Sequence, residues 1–163
     1  MSDLSEMLTN LAACLCAELT PDGADGPDLC FCGLMPGQQP ALDLGDCPDA
    51  CGMAWVRLMD AYPAVGLGVE WDPTNNGGCG PMIGATVEVG VIRCFEQPAH
   101  GGPPEPEELL AGTQQQIEDM LAMRRAIMCC NLDDEDYALG RYAPYGPQGF
   151  IVGGWWTLDL LAG

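Results

Sequence analysis

The segment ATVEVGVIRCF, Ala85–Phe95, decides the fold class. Ala85, Val87, Val89 and Val91 recur at every second position, a period that places all four on one face of a β-strand. Toward the N-terminus, Asp72–Pro81 (DPTNNGGCGP) is dense in turn residues and predicts a loop, part of an irregular stretch over 72–84. Before it, Met53–Met59 alternates again, with Ala54, Val56 and Leu58 on one face and Trp55, Arg57 and Met59 on the other. Leu29–Leu34 reads as a short strand bounded by Pro27 and Pro36-Gly37, and 36–52 as irregular. Toward the C-terminus, Tyr137–Tyr145 and Phe150–Leu161 read as two further strands, joined by a hairpin loop over Pro144–Gly149.

Two helices accompany these strands. Leu4, Leu8, Leu11, Leu15 and Leu19 form one apolar stripe over residues 3–19, with Asp3 and Glu6 spaced as a capping box and Thr20-Pro21-Asp22-Gly23 as a stop. A Gly/Pro linker at 97–106 leads into a second helix over 107–130, and Pro106 suits its first turn. Glu105, Glu107 and Glu108 complement the positive end of its dipole, and Arg124 and Arg125 the negative end. Leu110, Ile117, Met120, Leu121, Ile127 and Met128 are expected to form its core-facing side. The predicted architecture is α+β: two amphipathic helices packed on a mostly antiparallel β-sheet, in a single domain over 1–163.

Composition narrows the function classes. The chain has 163 residues, 24 acidic side chains against five basic ones, one His and ten Cys, with a formal charge of −19. A hydrophobic share of 48% excludes a disordered acidic tail, and the charge excludes a broad phosphate-gripping face. Met1–Asn10 lacks the positive start of a signal peptide, and Phe150–Ala162, the longest apolar stretch, contains Asp159. Neither a signal peptide nor a membrane span is therefore expected.

Catalytic chemistry finds little to stand on. Lys is absent, and the single His, His100, lies in the Gly/Pro linker, so a Cys–His dyad would rest its base on a loop, and an exposed loop His is the plainer reading. The acid-rich runs at Asp22, Asp25 and Asp28 and at Asp133–Asp136 lack the ligand spacing of a calcium loop. Gly77-Gly78-Cys79-Gly80 and Gly66-Leu67-Gly68 read as turns rather than phosphate loops. The cysteines come as Cys14/Cys16, Cys30/Cys32, Cys47/Cys51, Cys79, Cys94 and Cys129/Cys130, without the C-x-x-C pairs that zinc favours. Disulfides, buried free thiols and a metal site remain three readings of them. Cys14 and Cys16 lie about 200° apart on a helix, which assigns them different partners. Arg124 falls about 20° from Ile117, on the expected apolar face, whereas Arg125 shares the polar face with Glu118. An inward Arg124 either pairs with a carboxylate inside the fold or serves a subunit boundary.

Several segments together resemble a known group of proteins. Pro27–Gly37 (PDLCFCGLMPG), Gly52–Leu58 (GMAWVRL), Val87–Cys94 (VEVGVIRC), Asp119–Cys130 (DMLAMRRAIMCC) and Gly153–Leu158 (GGWWTL) resemble small virion proteins of actinobacterial siphophages from the head–tail joining genes. The α–β–α–β order is similar to that of tail terminators, whose rings close the head-proximal end of a phage tail tube. The resemblance implies a homo-oligomeric ring of six subunits at the head–tail junction of the virion, with no cofactor, no catalytic or metal-binding residue and no membrane. It implies tail-tube protein and a head-connector or stopper protein as partners, with genomic DNA only as passing cargo. Alternatives are another connector ring, such as the stopper, and a thiol-dependent redox or regulatory protein. The latter needs an activated Cys, yet Cys129 and Cys130 sit neither at a helix N-terminus nor in a C-x-x-C motif.

Overall fold

The alternating and helical segments resolve into eight elements in a computed structural model, which describes residues 3–20, 29–37, 51–72, 74, 82–95, 102–130, 132, 137–148 and 151–163. In chain order these are α1 (Leu4–Leu19), β1 (Phe31–Leu34), β2 (Gly52–Gly66), β3 (Val69–Glu70), β4 (Met82–Cys94), α2 (Pro106–Cys129), β5 (Tyr137–Gln148) and β6 (Ile151–Ala162). The strands form one sheet in the order β1-β2-β4-β6-β5, with β3 paired to β2. Only β1 and β2 run parallel; the other pairings are antiparallel. The α+β class, helices packed on a mostly antiparallel sheet, is thus the observed one.

The valine strand read first lies at the centre. β4 pairs β2 on one side, from Gly52↔Arg93 to Ala64↔Met82, and β6 on the other, from Ile83↔Ala162 to Cys94↔Ile151. Ala85, Val87, Val89 and Val91 all point to the helix-covered face. There they meet Ala54 and Val56 of β2, Leu158 and Leu160 of β6, Met7, Leu11 and Leu15 of α1, and Met123, Ala126 and Ile127 of α2. Burying each Val or Leu in this cluster contributes about 1.5–3 kcal/mol before entropy is charged against it. Asp3 caps α1 by accepting from the Ser5 N–H at 2.8 Å. At α2 the Glu105 N–H donates to Glu108 Oε2 at 3.0 Å, and Pro106 occupies the first turn.

Four features differ from the sequence reading, the smallest being that β5 runs on to Gln148, opposite Ile151, so that 144–148 of the expected hairpin loop are strand. β2 continues past Met59 to Gly66, and β4 starts at Met82, so 82–84 are strand rather than loop. Pro63 hid the extension. Its carbonyl accepts from the Trp71 N–H, so its missing donor faces away from β4 and no bond to β4 is lost. A two-residue turn at Leu67-Gly68, with Gly68 at φ +67°, returns the chain into the unforeseen β3.

The remaining difference is the rotation of α2. Leu110, Ile117, Leu121 and Met128 are exposed, and the buried residues are Asp119, Ala122, Met123, Ala126 and Ile127. Small residues let the helix lie close to the sheet: a Cβ on Gly112 would come within 2.8 Å of the Phe95 ring. Of the expected core-facing side, Ile127 is fully buried and Met120 half-buried, so the face is rotated and not exchanged: it combines Ala122 and Ala126 with Met123 and Ile127.

Candidate interaction surfaces

The inward arginines are Arg57 and Arg93, not Arg124. Arg57 on β2 stands across from Glu88 on β4, on the sheet face away from the helices. Its Nε and Nη2 donate to Glu88 Oε1 and Oε2 at 2.6 and 2.9 Å, and Trp55 Nε1 donates to the same Oε1 at 2.8 Å. Trp55 is fully buried and lies over Gly90, where any Cβ would come within 2.3 Å of its ring. Met53, Ile92, Met35 and Ile151 pack around it. On the helix side Arg93 of β4 holds Asp119 of α2 through a second fork, Nε to Oδ2 at 2.7 Å and Nη2 to Oδ1 at 2.9 Å. Both pairs are bidentate and buried, the geometry in which guanidinium and carboxylate satisfy one another. They fix strand register and helix position, and neither is open to a substrate.

Beside the second pair, α2 is stitched to the sheet by polar bonds. Trp156 Nε1 donates to the Met120 carbonyl at 3.1 Å, and Gln116 Nε2 donates to the carbonyls of Tyr145 and Gly153. Tyr142 stacks at a tilt on Trp156, its Oη buried over Gly154 without a hydrogen-bond partner among the described residues. Burial first, and the Asp119 charge second, push the Tyr142 hydroxyl up to about 12.

The cysteines largely pair. Cys14 bonds to Cys130, tying α1 to the end of α2, and Cys16 bonds to Cys32, tying α1 to β1. Cys14 and Cys16 therefore take different partners. Cys51 bonds to Cys94 across the β2–β4 end, and Cys30 is also disulfide-bonded. Cys129 is free and exposed. Cys47, Cys79, His100, the acidic runs at 22–28 and 133–136 and the Gly77–Gly80 turn lie outside the described residues. Among the described residues no group of three or more His, Cys, Asp or Glu could hold a metal ion. No helix among them is long and apolar enough to cross a membrane.

Arg124 is exposed on the outer face of α2 and makes no ion pair or hydrogen bond among the described residues. Its neighbour Arg125 instead pairs with Glu18 of α1 at the surface. Two unlike sheet edges are also open among the described residues. β5 has β6 as its sole strand neighbour. At the opposite edge β1 covers Met53–Val56 of β2, Arg57 Nη1 donates to the Gly37 carbonyl just past β1, and β3 reaches Ala64 and Gly66, which leaves 58–62 without a strand on that side among the described residues. Leu58 and Met59 are exposed there, as are Val65, Val69 and Ile83 along the β2–β3–β4 hairpin. Pro144 and Pro147 restrict the pairing stretch of β5 to its first half.

No protein-family model and no curated protein matches the chain.

Proposed function

We propose that this chain is a structural virion protein, a tail terminator whose ring closes the head-proximal end of a siphophage tail tube and joins it to the head connector. The observation that supports the reading is the pair of unlike sheet edges left open among the described residues. An edge strand is a template for pairing with another chain, and natural monomers usually cover it. When the two open edges differ, the contact between subunits is head-to-tail, and such contacts form a ring when the rotation from one subunit to the next closes and a filament when it does not. Among the described residues, the stretch of β2 at 58–62 that no strand pairs on that side is nearly as long as the part of β5 before Pro144, so one subunit's β5 can extend the next subunit's sheet. The exposed apolar hairpin β2–β3–β4 then reaches toward tail-tube protein or the connector ring.

Charge fits a conduit for DNA. Six chains at −19 each total −114, and wherever part of that charge lines the bore it repels phosphates, so the genome slides instead of adhering. The ring needs no cofactor and works by geometry. A phage lacking the protein should make filled heads with tails unjoined or of uncontrolled length. Normally joined particles would overturn the proposal. A stopper ring would share the edge logic; tails of normal length beside leaking heads would identify it instead.

A further inference from the structure

The outer face of α2 carries a second apolar stripe that nothing among the described residues covers. Leu110, Ile117, Leu121 and Met128 are 59%, 48%, 43% and 53% exposed. With Gln114 and Arg124 they follow the alternating four-and-three spacing of a coiled-coil seam. At about 100° per residue all six fall within roughly 40° of Leu110, on the side opposite the buried Asp119 and Ala126. The four apolar side chains leave roughly 400 Å² to water, the size of a functional patch and not of scattered surface residues. No acidic residue interrupts the seam, although the chain carries 24 of them.

We infer that this seam docks on a second copy of the chain, α2 against α2, antiparallel about a two-fold axis level with position 119. The seam is chemically palindromic about that position. Reversal sets Leu110 against Met128, Ile117 against Leu121 and Gln114 against Arg124 of the second copy, so apolar meets apolar and the amide oxygen meets the guanidinium. Parallel pairing would oppose Arg124 to itself, which charge repulsion disfavours. A two-fold contact of this kind closes as a dimer. The seam supplies about half of the roughly 800 Å² per partner that stable complexes bury, so the dimer is a reversible one. Glu118 flanks the seam beside the axis and faces its own copy there, so salt or loss of that charge strengthens the contact. This surface is separate from the sheet edges used by the ring, and either contact can fail alone.

Sedimentation equilibrium on the purified full chain, from about 1 to 200 μM, tests the inference. A monomer–dimer equilibrium is expected, tighter in higher salt. Leu121→Asp places a charge in two symmetry-related layers and should weaken dimerisation at least tenfold while leaving the circular dichroism spectrum and melting temperature unchanged. Glu118→Gln should tighten it several-fold, and Glu107→Gln, far from the axis, should leave it unchanged. A monomer across the whole range overturns the inference, as does a dimer indifferent to both Leu121→Asp and Glu118→Gln. Loss of ring assembly in Leu121→Asp would place the seam in the head-to-tail contact and overturn the two-fold arrangement. A dimer without any ring would instead leave the inference standing and remove the ring proposal.

Discussion

Replacing Glu88 by Ala should be among the most destabilising single substitutions in the chain. Glu88 accepts two hydrogen bonds from Arg57 and one from Trp55 Nε1, and the Arg57 and Glu88 side chains are only 7% and 3% exposed. Truncation removes the Glu88 countercharge from a buried guanidinium that keeps its Nη1 contact to the Gly37 carbonyl, a loss of about 3–5 kcal/mol. The orphaned indole N–H adds about 1 kcal/mol. A total of about 4–6 kcal/mol is a large share of the roughly 5–15 kcal/mol by which native proteins are stable. The pair as a whole is worth much less than either truncation suggests, because both charges had to be desolvated. Arg57→Met combined with Glu88→Leu should therefore fall within about 2 kcal/mol of the wild type. Urea unfolding followed by tryptophan fluorescence, with disulfides kept oxidised, measures all four corners of the cycle. A loss below about 1 kcal/mol in Glu88→Ala, or additive single and double effects, would refute the reasoning.

Other expectations rest on different contacts. Arg93→Ala should cost about 3–5 kcal/mol by removing the countercharge of the buried Asp119, which keeps only the neutral Gln115 Nε2 as a side-chain donor among the described residues, whereas Arg124→Ala should change unfolding free energy by less than about 0.5 kcal/mol; denaturation of both variants makes the comparison. Tyr142→Phe removes a buried hydroxyl without a partner and should be neutral or stabilising by up to about 1 kcal/mol. Because the folded state holds the Tyr142 hydroxyl up near 12, above its unfolded value of 10, its contribution is intact below pH 10 and is lost as pH rises toward 12. Stability measured across that window should decline less in Tyr142→Phe. Replacing both Cys14 and Cys130 by Ser opens a link across 116 residues and should lower stability by about 4–5 kcal/mol in the chain-entropy model, read by thermal or urea melts.

How much of this was legible in the sequence depends on what a one-dimensional pattern encodes. Alternation at 85–95 and 53–59 located the two strands that dominate the sheet, and the leucine stripe located α1, because side-chain period reports the local element directly. The far end of β2 was missed because Pro63 signals a break, and only its position facing away from β4 makes it harmless. The face of α2 was misread because two stripes compete on that helix. Leu110, Ile117, Leu121 and Met128 point to solvent, and the face that meets the sheet mixes small Ala122 and Ala126 with Met123 and the expected Ile127. The buried arginines left a faint signal, since Arg57 and Arg93 each stand inside an alternating apolar strand. Their partners depend on strand register and helix placement, which no spacing reveals. Separate partners for Cys14 and Cys16 followed from helix geometry, yet Cys130 and Cys32 emerged only from the tertiary arrangement.

The ring is tested most directly by electron cryomicroscopy of the head–tail junction in the particle that carries this chain. The proposal predicts a ring of six copies at the top of the tail tube, with β5 of each subunit extending the β2 edge of the next and acidic side chains lining the bore. A junction resolved in full without this chain, together with its detection only in infected-cell cytoplasm, would contradict it.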